Sequence, residues 1–171
     1  MNLTTKALIV TAALALAACQ NPRGGGMQAG MDAGGFGGAG GFAMTELGDP
    51  NDPGSIAHFN ERVGDRVFFE TDSSALTMLA QDTLRRQASW LNQNPQYQIL
   101  IEGHADERGT REYNVALGAR RANAVESFLI QQGVTASRLR TTSYGKERPV
   151  EACPEARCWN QNRRSVTVLA R

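Results

Sequence analysis

Hydrophobic side chains in the C-terminal two thirds of the chain follow two different repeats. Short runs of β-branched and aromatic residues predict strands at residues 66–69, 97–102, 141–144 and 166–169. Two longer segments carry small and apolar residues three and four positions apart, which is the repeat of an amphipathic helix. The first stripe comprises Leu76, Leu79, Ala80, Leu84, Ala88 and Leu91, and the second comprises Gly118, Ala122, Val125 and Leu129.

Capping residues indicate where the two helices begin and end. Ser73 and Ser74 are predicted to cap the first helix. Thr110 is predicted to cap the second, with Glu112 in its first turn, where the helix dipole favours an anion, and Gly133 at its end. The resulting order, β-α-β-α-β-β, predicts an α+β fold in which two helices cover one face of a sheet.

The chain begins with an apolar segment that ends in a cysteine. Residues 7–16 form an apolar run of ten behind one positive charge at Lys6, which is typical of a signal peptide and too short to span a membrane. The letters L-A-A-C at residues 16–19 resemble the bacterial lipobox, whose cysteine is acylated. Residues 1–18 are therefore predicted to be a lipoprotein signal peptide and Cys19 the lipidated residue; a plain secretion signal followed by a chance cysteine is the alternative.

A glycine-rich segment separates this cysteine from the patterned part of the chain. Ten of the 18 glycines lie between Gly24 and Gly41, and such a segment buries too little apolar surface to offset its ordering entropy. Residues 19–54 are predicted to be a flexible tether with an r.m.s. span of roughly 30–35 Å, and residues 55–171 a folded domain. A disordered end without a function is the alternative.

Charge and cysteine number exclude several classes of protein. The net charge is +1, so the chain has no overall basic field for nucleic acid. Cys153 and Cys158 lie five positions apart, which matches neither a C-x-x-C redox pair nor a haem attachment site, and two thiols are too few for a structural zinc. In an oxidising compartment they predict a disulfide that closes a small loop before the last strand; a catalytic redox pair is the alternative.

Charged side chains concentrate between the second strand and the second helix. Residues 103–122 read G-H-A-D-E-R-G-T-R-E-Y-N-V-A-L-G-A-R-R-A. Further segments are F-F-E-T-D-S-S at 68–74, R-L-R-T-T-S-Y-G-K-E-R-P at 138–149 and N-R-R-S-V at 162–166. Together they resemble the OmpA-like peptidoglycan-binding domain family, and the lipobox and tether match its lipoprotein subgroup. The resemblance implies a two-layer α/β sandwich with a mixed sheet.

Members of this family bind the peptide stem of peptidoglycan without cleaving it, usually at meso-diaminopimelate. The resemblance assigns Asp106 to the ammonium group of this ligand and Arg121 to its carboxylate, which a planar guanidinium can bind bidentately. Asn114 lies seven residues before Arg121 and faces the same side of the helix, with Leu117 between them as a pocket wall. The remaining family positions are Asp72, Ser73 and Arg108.

Several of these residues have a purely structural alternative. Asp106 could brace its own loop, and Arg121 could be an ordinary arginine on the helix surface. Asp72 could be a turn residue, and Asn114 could fasten the loop to the helix. His104 follows the strand directly and is predicted to have a structural role.

The sequence predicts a binding protein and not an enzyme. His104, Asp106 and Glu107 form a weak metal or acid–base pattern, because H-E-x-x-H, a nucleophile elbow and a phosphate-binding loop are all missing from the sequence. No cofactor is expected besides the covalent lipid on Cys19. In bacterial lipoproteins, an aspartate directly after the acylated cysteine favours retention in the inner membrane. This chain has Gln20 there, so the sequence predicts an outer-membrane location with the domain in the periplasm. The resemblance implies peptidoglycan, TolB and other Tol proteins as partners, in envelope integrity and cell division.

Overall fold

The computed structural model describes residues 46–171, so the predicted signal peptide, Cys19 and most of the predicted tether lie outside the described residues. The described chain contains helices α1 to α4 and strands β1 to β4. In chain order these are α1 Ile56–His58, β1 Arg66–Phe68, α2 Met78–Gln93, β2 Gln98–His104, α3 Arg111–Gln131, β3 Leu139–Gly145, α4 Ala156–Asn162 and β4 Arg164–Ala170. A π-helical stretch, Phe59–Gly64, extends α1, and a 3₁₀ turn, Ala136–Arg138, precedes β3.

The strands form one mixed sheet in the order β1-β4-β2-β3. β4 runs antiparallel to both of its neighbours, with Phe68 opposite Arg164 in β1 and β4. β2 and β3 run parallel, with Ile101 opposite Thr141, and α3 forms the crossover that a parallel pair requires. The predicted α+β sandwich with a mixed sheet is confirmed. Within residues 46–171, no helix is long and apolar enough to cross a bilayer.

The hydrophobic core lies between the helices and one face of the sheet. Ile99 and Ile101 alternate along β2 and are fully buried, as the period of a strand requires. The predicted helical stripes supply the opposite side of the core through Leu84, Ala88, Leu91, Ala122, Val125 and Leu129. Leu79 departs from the prediction, because its side chain is 75% exposed at the start of α2.

Helix α2 begins later than the sequence predicts, and the assignment of its cap to Ser73 and Ser74 is wrong. The N-cap is Thr77, whose hydroxyl oxygen accepts a hydrogen bond from the Ala80 amide at 3.2 Å. Ser73 instead turns the chain after β1, because its hydroxyl oxygen accepts from the Ala75 amide at 3.0 Å. The predicted cap of α3 at Thr110 is confirmed by its hydrogen bond from the Tyr113 amide.

The structure adds the short helix α4 between β3 and β4, where no helix was predicted. Its seven residues are too few to show an apolar repeat. The predicted disulfide is present and joins Cys153 to Cys158, with their Cα atoms 5.8 Å apart. It therefore links the loop after β3 to the first turn of α4.

Residues 46–54 lie at the end of the predicted tether and contact the domain through hydrogen bonds. The Trp90 indole donates to the Pro53 carbonyl oxygen at 2.7 Å, and the Tyr97 hydroxyl donates to the Gly54 carbonyl oxygen at 2.8 Å. The Ala57 amide also donates to the Leu47 carbonyl oxygen.

Two glycines bring α3 unusually close to the sheet. A Cβ atom on Gly103 of β2 would lie 1.9 Å from the carbonyl oxygen of Gly118 in α3. A Cβ atom on Gly118 would lie 2.3 Å from the hydroxyl oxygen of Ser143 in β3. The first half of α3 is therefore held directly against the end of β2, where the charged loop begins.

Candidate functional site

A cleft of about 230 Å³ lies where the β1–α2 loop, the β2–α3 loop and the first half of α3 meet. Six of the predicted binding residues line it, namely Asp72, Asp106, Arg108, Asn114, Leu117 and Arg121. Thr71, Gly109 and Tyr113 line it as well and were not predicted. Ser73 is not among the lining residues.

Asp106 carries the negative charge of the cleft and is 7% exposed. Its Oδ1 accepts from the main-chain amide and Nε of Arg108, both at 3.2 Å, and its Oδ2 accepts from Arg108 Nη2 at 2.7 Å. Arg163 Nη1 also donates to Oδ2, at 3.3 Å. Burial alone would raise the pKa of Asp106, but the hydrogen bonds from the two arginines outweigh it and hold this pKa below its ordinary value. Asp106 is therefore an anion at neutral pH and also braces its own loop.

Arg121 carries the positive charge and is fully buried, so it is not an ordinary surface arginine. Its Nε donates to the Ser73 carbonyl oxygen at 2.8 Å, Nη1 to the His104 carbonyl oxygen at 2.8 Å, and Nη2 to the Glu70 carbonyl oxygen at 3.1 Å. Burial lowers the pKa of Arg121 to about 10, which leaves it charged at neutral pH. Arg121 thus joins the β1–α2 loop to the end of β2, and Ser73 takes part in the site through its carbonyl group.

The buried charge of Arg121 makes the cleft attractive to an anion. A guanidinium has five N–H groups, and the three hydrogen bonds described for Arg121 all end on main-chain carbonyl oxygens. A buried cation without a bound carboxylate is costly, and a carboxylate on a ligand would reduce this cost. With Asp106 in the same lining, the cleft presents one buried anion and one buried cation, besides the exposed side chains of Asp72 and Arg108.

The β1–α2 loop closes one side of the cleft through Asp72. This residue has a positive φ of 54°, a left-handed conformation that aspartate tolerates better than most side chains. The Tyr113 hydroxyl donates a hydrogen bond to Asp72 Oδ1, and this bond raises the pKa of Tyr113. The contact fastens the loop to the first turns of α3.

The main chain of the β2–α3 loop is held from two sides. Asn114 is 2% exposed, and its Nδ2 donates to the Arg108 carbonyl oxygen at 2.7 Å. Asn114 therefore fastens the loop to α3 and also lines the cleft. Lys146 Nζ donates to the Gly109 carbonyl oxygen at 2.7 Å and to the Glu107 carbonyl oxygen at 3.2 Å.

The side chains of the same loop are contacted by α4 and the residue that follows it. The Trp159 indole N–H donates to Glu107 Oε1, and the guanidinium carbon of Arg108 lies 4.2 Å from the centroid of the Trp159 ring. Arg163 reaches Asp106, as described above. Sequence reasoning missed all three contacts, because the partners are more than 50 positions apart, 52 for Trp159 and Glu107 and 57 for Arg163 and Asp106, and no local spacing connects them.

His104 is part of the packing and does not line the cleft. It is 1% exposed, its ring stacks on Tyr144 with centroids 5.5 Å apart, and its Nε2 lies 3.5 Å from Glu102 Oε2. Burial lowers the pKa of His104, so the neutral form is favoured. Among the residues that the structure describes, no three His, Cys, Asp or Glu side chains form a group that could hold a metal ion.

Comparison with known proteins places the chain in a family. The family model described as "OmpA family" matches residues 68–163. A peptidoglycan-associated lipoprotein from Agrobacterium fabrum is 54% identical over 162 residues, covering 95% of this chain and 85% of that protein. A peptidoglycan-associated lipoprotein from Mesorhizobium japonicum is 63% identical over 118 residues, covering 69% and 70% of the two chains.

Solved structures agree with the sequence comparison. The crystal structure of the peptidoglycan-associated lipoprotein from Burkholderia pseudomallei matches with a TM-score of 0.62 and 41% identity, covering 71% of this chain and 99% of that chain. The C-terminal domain of Helicobacter pylori MotB matches with a TM-score of 0.59 and 25% identity, covering 63% and 84%. From the family model, the identities and the shared fold, the chain belongs to the OmpA family, in which its relatives include peptidoglycan-associated lipoproteins.

Proposed function

We propose that the cleft binds the peptide stem of peptidoglycan at its meso-diaminopimelate residue, non-covalently and without cleaving it. The observation that carries this proposal is the pairing of a mostly buried carboxylate, Asp106, with a buried guanidinium, Arg121, in one cleft. The free D-configured centre of diaminopimelate offers an ammonium group and a carboxylate, which have the complementary charges. The name of the relatives, peptidoglycan-associated lipoprotein, supports the cell wall as the partner.

Most of the lining residues have a part in this proposal. Asp106 accepts from the ammonium group, and the two remaining N–H groups of Arg121 donate to the carboxylate. Leu117 and Tyr113 pack against the aliphatic chain of the ligand, while Asp72 holds Tyr113 in place. The residues that line the cleft include neither a histidine nor a cysteine, and the relatives are named as lipoproteins and not as enzymes.

Arg108 lies where the proposal puts the ammonium group. Its guanidinium already contacts both oxygens of Asp106, so the ligand must share Asp106 with Arg108 or displace it. The Arg108 side chain is 43% exposed and therefore has room to rotate. In its displaced position, Arg108 contacts the ligand from the rim of the cleft.

The proposal extends to the whole chain through Cys19. Acylation there would anchor the chain in the outer membrane, since each buried CH₂ group contributes about 0.8 kcal/mol and several acyl chains together give durable anchoring. The glycine-rich segment would span the distance to the cell wall in the periplasm. Many weak contacts between such molecules and one sacculus would add to a strong attachment. The family resemblance adds TolB and other Tol proteins as partners, in envelope integrity and cell division.

Co-sedimentation of the full-length protein with purified sacculi tests the ligand and the site. Wild-type protein should pellet with sacculi that contain meso-diaminopimelate and much less with sacculi that carry lysine at the same stem position. Asp106→Asn should weaken pelleting at least about tenfold, because it removes a charge that hydrogen-bonds the ammonium group. Asp82→Asn is the matched control, since Asp82 is an exposed carboxylate on α2.

The possible outcomes distinguish the hypotheses. If Asp106→Asn pelleted to the same extent as wild type, the assignment of the binding site would be wrong. Release of muropeptides from the sacculi would indicate an enzyme. Capture of TolB without any affinity for sacculi would indicate an adaptor of the Tol system. Arg121→Ala is a poor probe of binding, because Arg121 also holds three main-chain carbonyl groups of the fold.

A further inference from the structure

Three consecutive side chains of the β2–α3 loop contact α4 or the residue that caps it. Asp106 accepts a hydrogen bond from Arg163, which follows α4 directly. Glu107 accepts from the indole N–H of Trp159, and Arg108 lies over the ring of the same tryptophan. The main chain of the loop is held elsewhere, by Asn114 and Lys146, so the contacts with α4 act on the side chains.

Helix α4 depends on its surroundings for its own position. Its seven residues are too few for a helix that is stable alone in water. The disulfide ties Cys158, immediately before Trp159, to Cys153. At the other end, the side chain of the fully buried Asn162 donates to the Glu151 carbonyl oxygen at 2.7 Å and accepts from the Val150 amide at 2.9 Å. The segment before the disulfide is thus joined to both ends of α4.

We propose that the disulfide-closed helix α4 positions the charged side chains of the ligand loop, with Trp159 and Arg163 as positioning residues, so that reduction of Cys153–Cys158 weakens ligand binding. The inference rests on the proposed function of the cleft. Arg108 contacts the face of Trp159 while it is paired with Asp106. If Arg108 keeps this contact when the ligand takes Asp106, its cation retains one of its two partners. Without the disulfide, α4 loses its covalent link to the segment before it. The side chains of the ligand loop are then less ordered before binding, and the entropy cost of ordering them weakens the affinity for the ligand.

The redox step involves the two cysteines and an added dithiol. The S–S bond between Cys153 and Cys158 breaks, and the two sulfur atoms take up two electrons and two protons. The dithiol supplies both and becomes its own disulfide. Dithiol treatment therefore breaks the same bond that substitution of the two cysteines removes.

Titration of the full-length protein with the soluble stem tripeptide L-Ala-γ-D-Glu-meso-diaminopimelate tests this inference. Trp159→Ala and the double variant Cys153→Ser/Cys158→Ser should each weaken binding by roughly five- to tenfold, the range of a partly buried cation–π contact. Dithiol treatment should weaken wild type to the level of the double variant and leave that variant unchanged. Arg157→Ala is the matched control, because Arg157 lies on the same helix and pairs with Glu155.

Two further measurements separate positioning from general loss of structure. Trp159→Phe keeps an aromatic face for Arg108 but loses the N–H donor to Glu107, so its affinity should fall between wild type and Trp159→Ala. Ligand should change the tryptophan fluorescence of wild type but not that of Trp159→Phe, whose remaining tryptophan, Trp90, is 7% exposed in the core. If Trp159→Ala does not fold, Trp159→Phe and the dithiol treatment carry the test.

The results separate this inference from the function on which it rests. No binding by oxidised wild type would overturn the proposed function, and the role of α4 with it. If oxidised wild type binds the tripeptide, and Trp159→Ala, Trp159→Phe and dithiol-treated wild type all bind it with the same affinity, the role of α4 alone is overturned. A fluorescence change that persists in Trp159→Phe would also contradict it.

Discussion

At the scale of single residues, the site depends on charges that are held in place by partners distant in sequence. Asp106 stays ionised although it is mostly buried, because Arg108 and Arg163 donate hydrogen bonds to it. Arg121 stays charged although it is buried, and its guanidinium donates hydrogen bonds to three main-chain carbonyl oxygens. Sequence identified both residues through the family pattern. It could not show that Arg121 also holds the fold together, because its acceptors lie 17 to 51 positions away.

The lowered pKa of Asp106 predicts a pH-dependent contribution to stability. A carboxylate whose folded-state pKa lies below its unfolded value stabilises the fold above the unfolded value, which is about 3.9 for aspartate, and this stabilisation is lost as pH falls through the folded-state pKa. The difference in unfolding free energy between wild type and Asp106→Asn should therefore shrink from about pH 5 to about pH 2. Urea unfolding at several pH values measures it, with Asp82→Asn as the exposed control. A difference independent of pH would contradict the assignment.

At the scale of the elements, the position of α3 on the sheet decides where the cleft lies. Gly103 and Gly118 allow the helix to touch β2, and the same helix carries Asn114, Leu117 and Arg121 into the site. Apolar periodicity predicted α3 and its buried stripe correctly. It did not locate the start of α2, since Ser73 is a good local cap that tertiary contacts use for a turn instead. It also missed α4, whose seven residues are too few to show an apolar repeat.

Gly103→Ala should destabilise the fold through this close contact. The new Cβ atom would meet the Gly118 carbonyl oxygen at 1.9 Å, and overpacking of this kind costs typically about 1–3 kcal/mol of unfolding free energy. Urea unfolding should show a loss of at least about 2 kcal/mol. Gly54→Ala is the control, because the nearest atom to its new Cβ lies 3.5 Å away, which is ordinary contact, so it should change stability by less than about 0.5 kcal/mol. Equal stability of the two variants would show that α3 adapts without cost.

At the scale of the whole molecule, the sequence predicts an N-terminal anchoring signal ahead of the folded domain, for which we propose the cell wall as the partner. The domain belongs to the OmpA family, and its relatives carry the name of lipoproteins. The signal peptide and the tether were predicted from apolar length and glycine content, and all of these residues except 46–54 lie outside the described residues. The three cysteines then divide by role, with Cys19 proposed for the lipid and Cys153 bonded to Cys158.

Metabolic labelling with radioactive palmitate tests the anchor. Wild-type protein should incorporate the label, and Cys19→Ser should lose it completely, because acylation requires this thiol. The double variant Cys153→Ser/Cys158→Ser is the matched control and should keep the full label, since those two sulfur atoms are joined in the disulfide. Persistent labelling of Cys19→Ser would refute the lipobox.

The sequence by itself determined the features that depend on neighbours along the chain. Periodicity identified the strands and the two long helices, capping chemistry placed Thr110 at the start of α3, and cysteine spacing predicted the disulfide. The family pattern also named six residues that line the cleft. Only the tertiary structure decided which distant groups hold them: Arg163 beside Asp106, Trp159 beside Glu107 and Arg108, and three carbonyl groups around Arg121. The physical reason is that hydrogen bonds and ring contacts act between atoms a few ångströms apart in space, and folding alone brings these segments together.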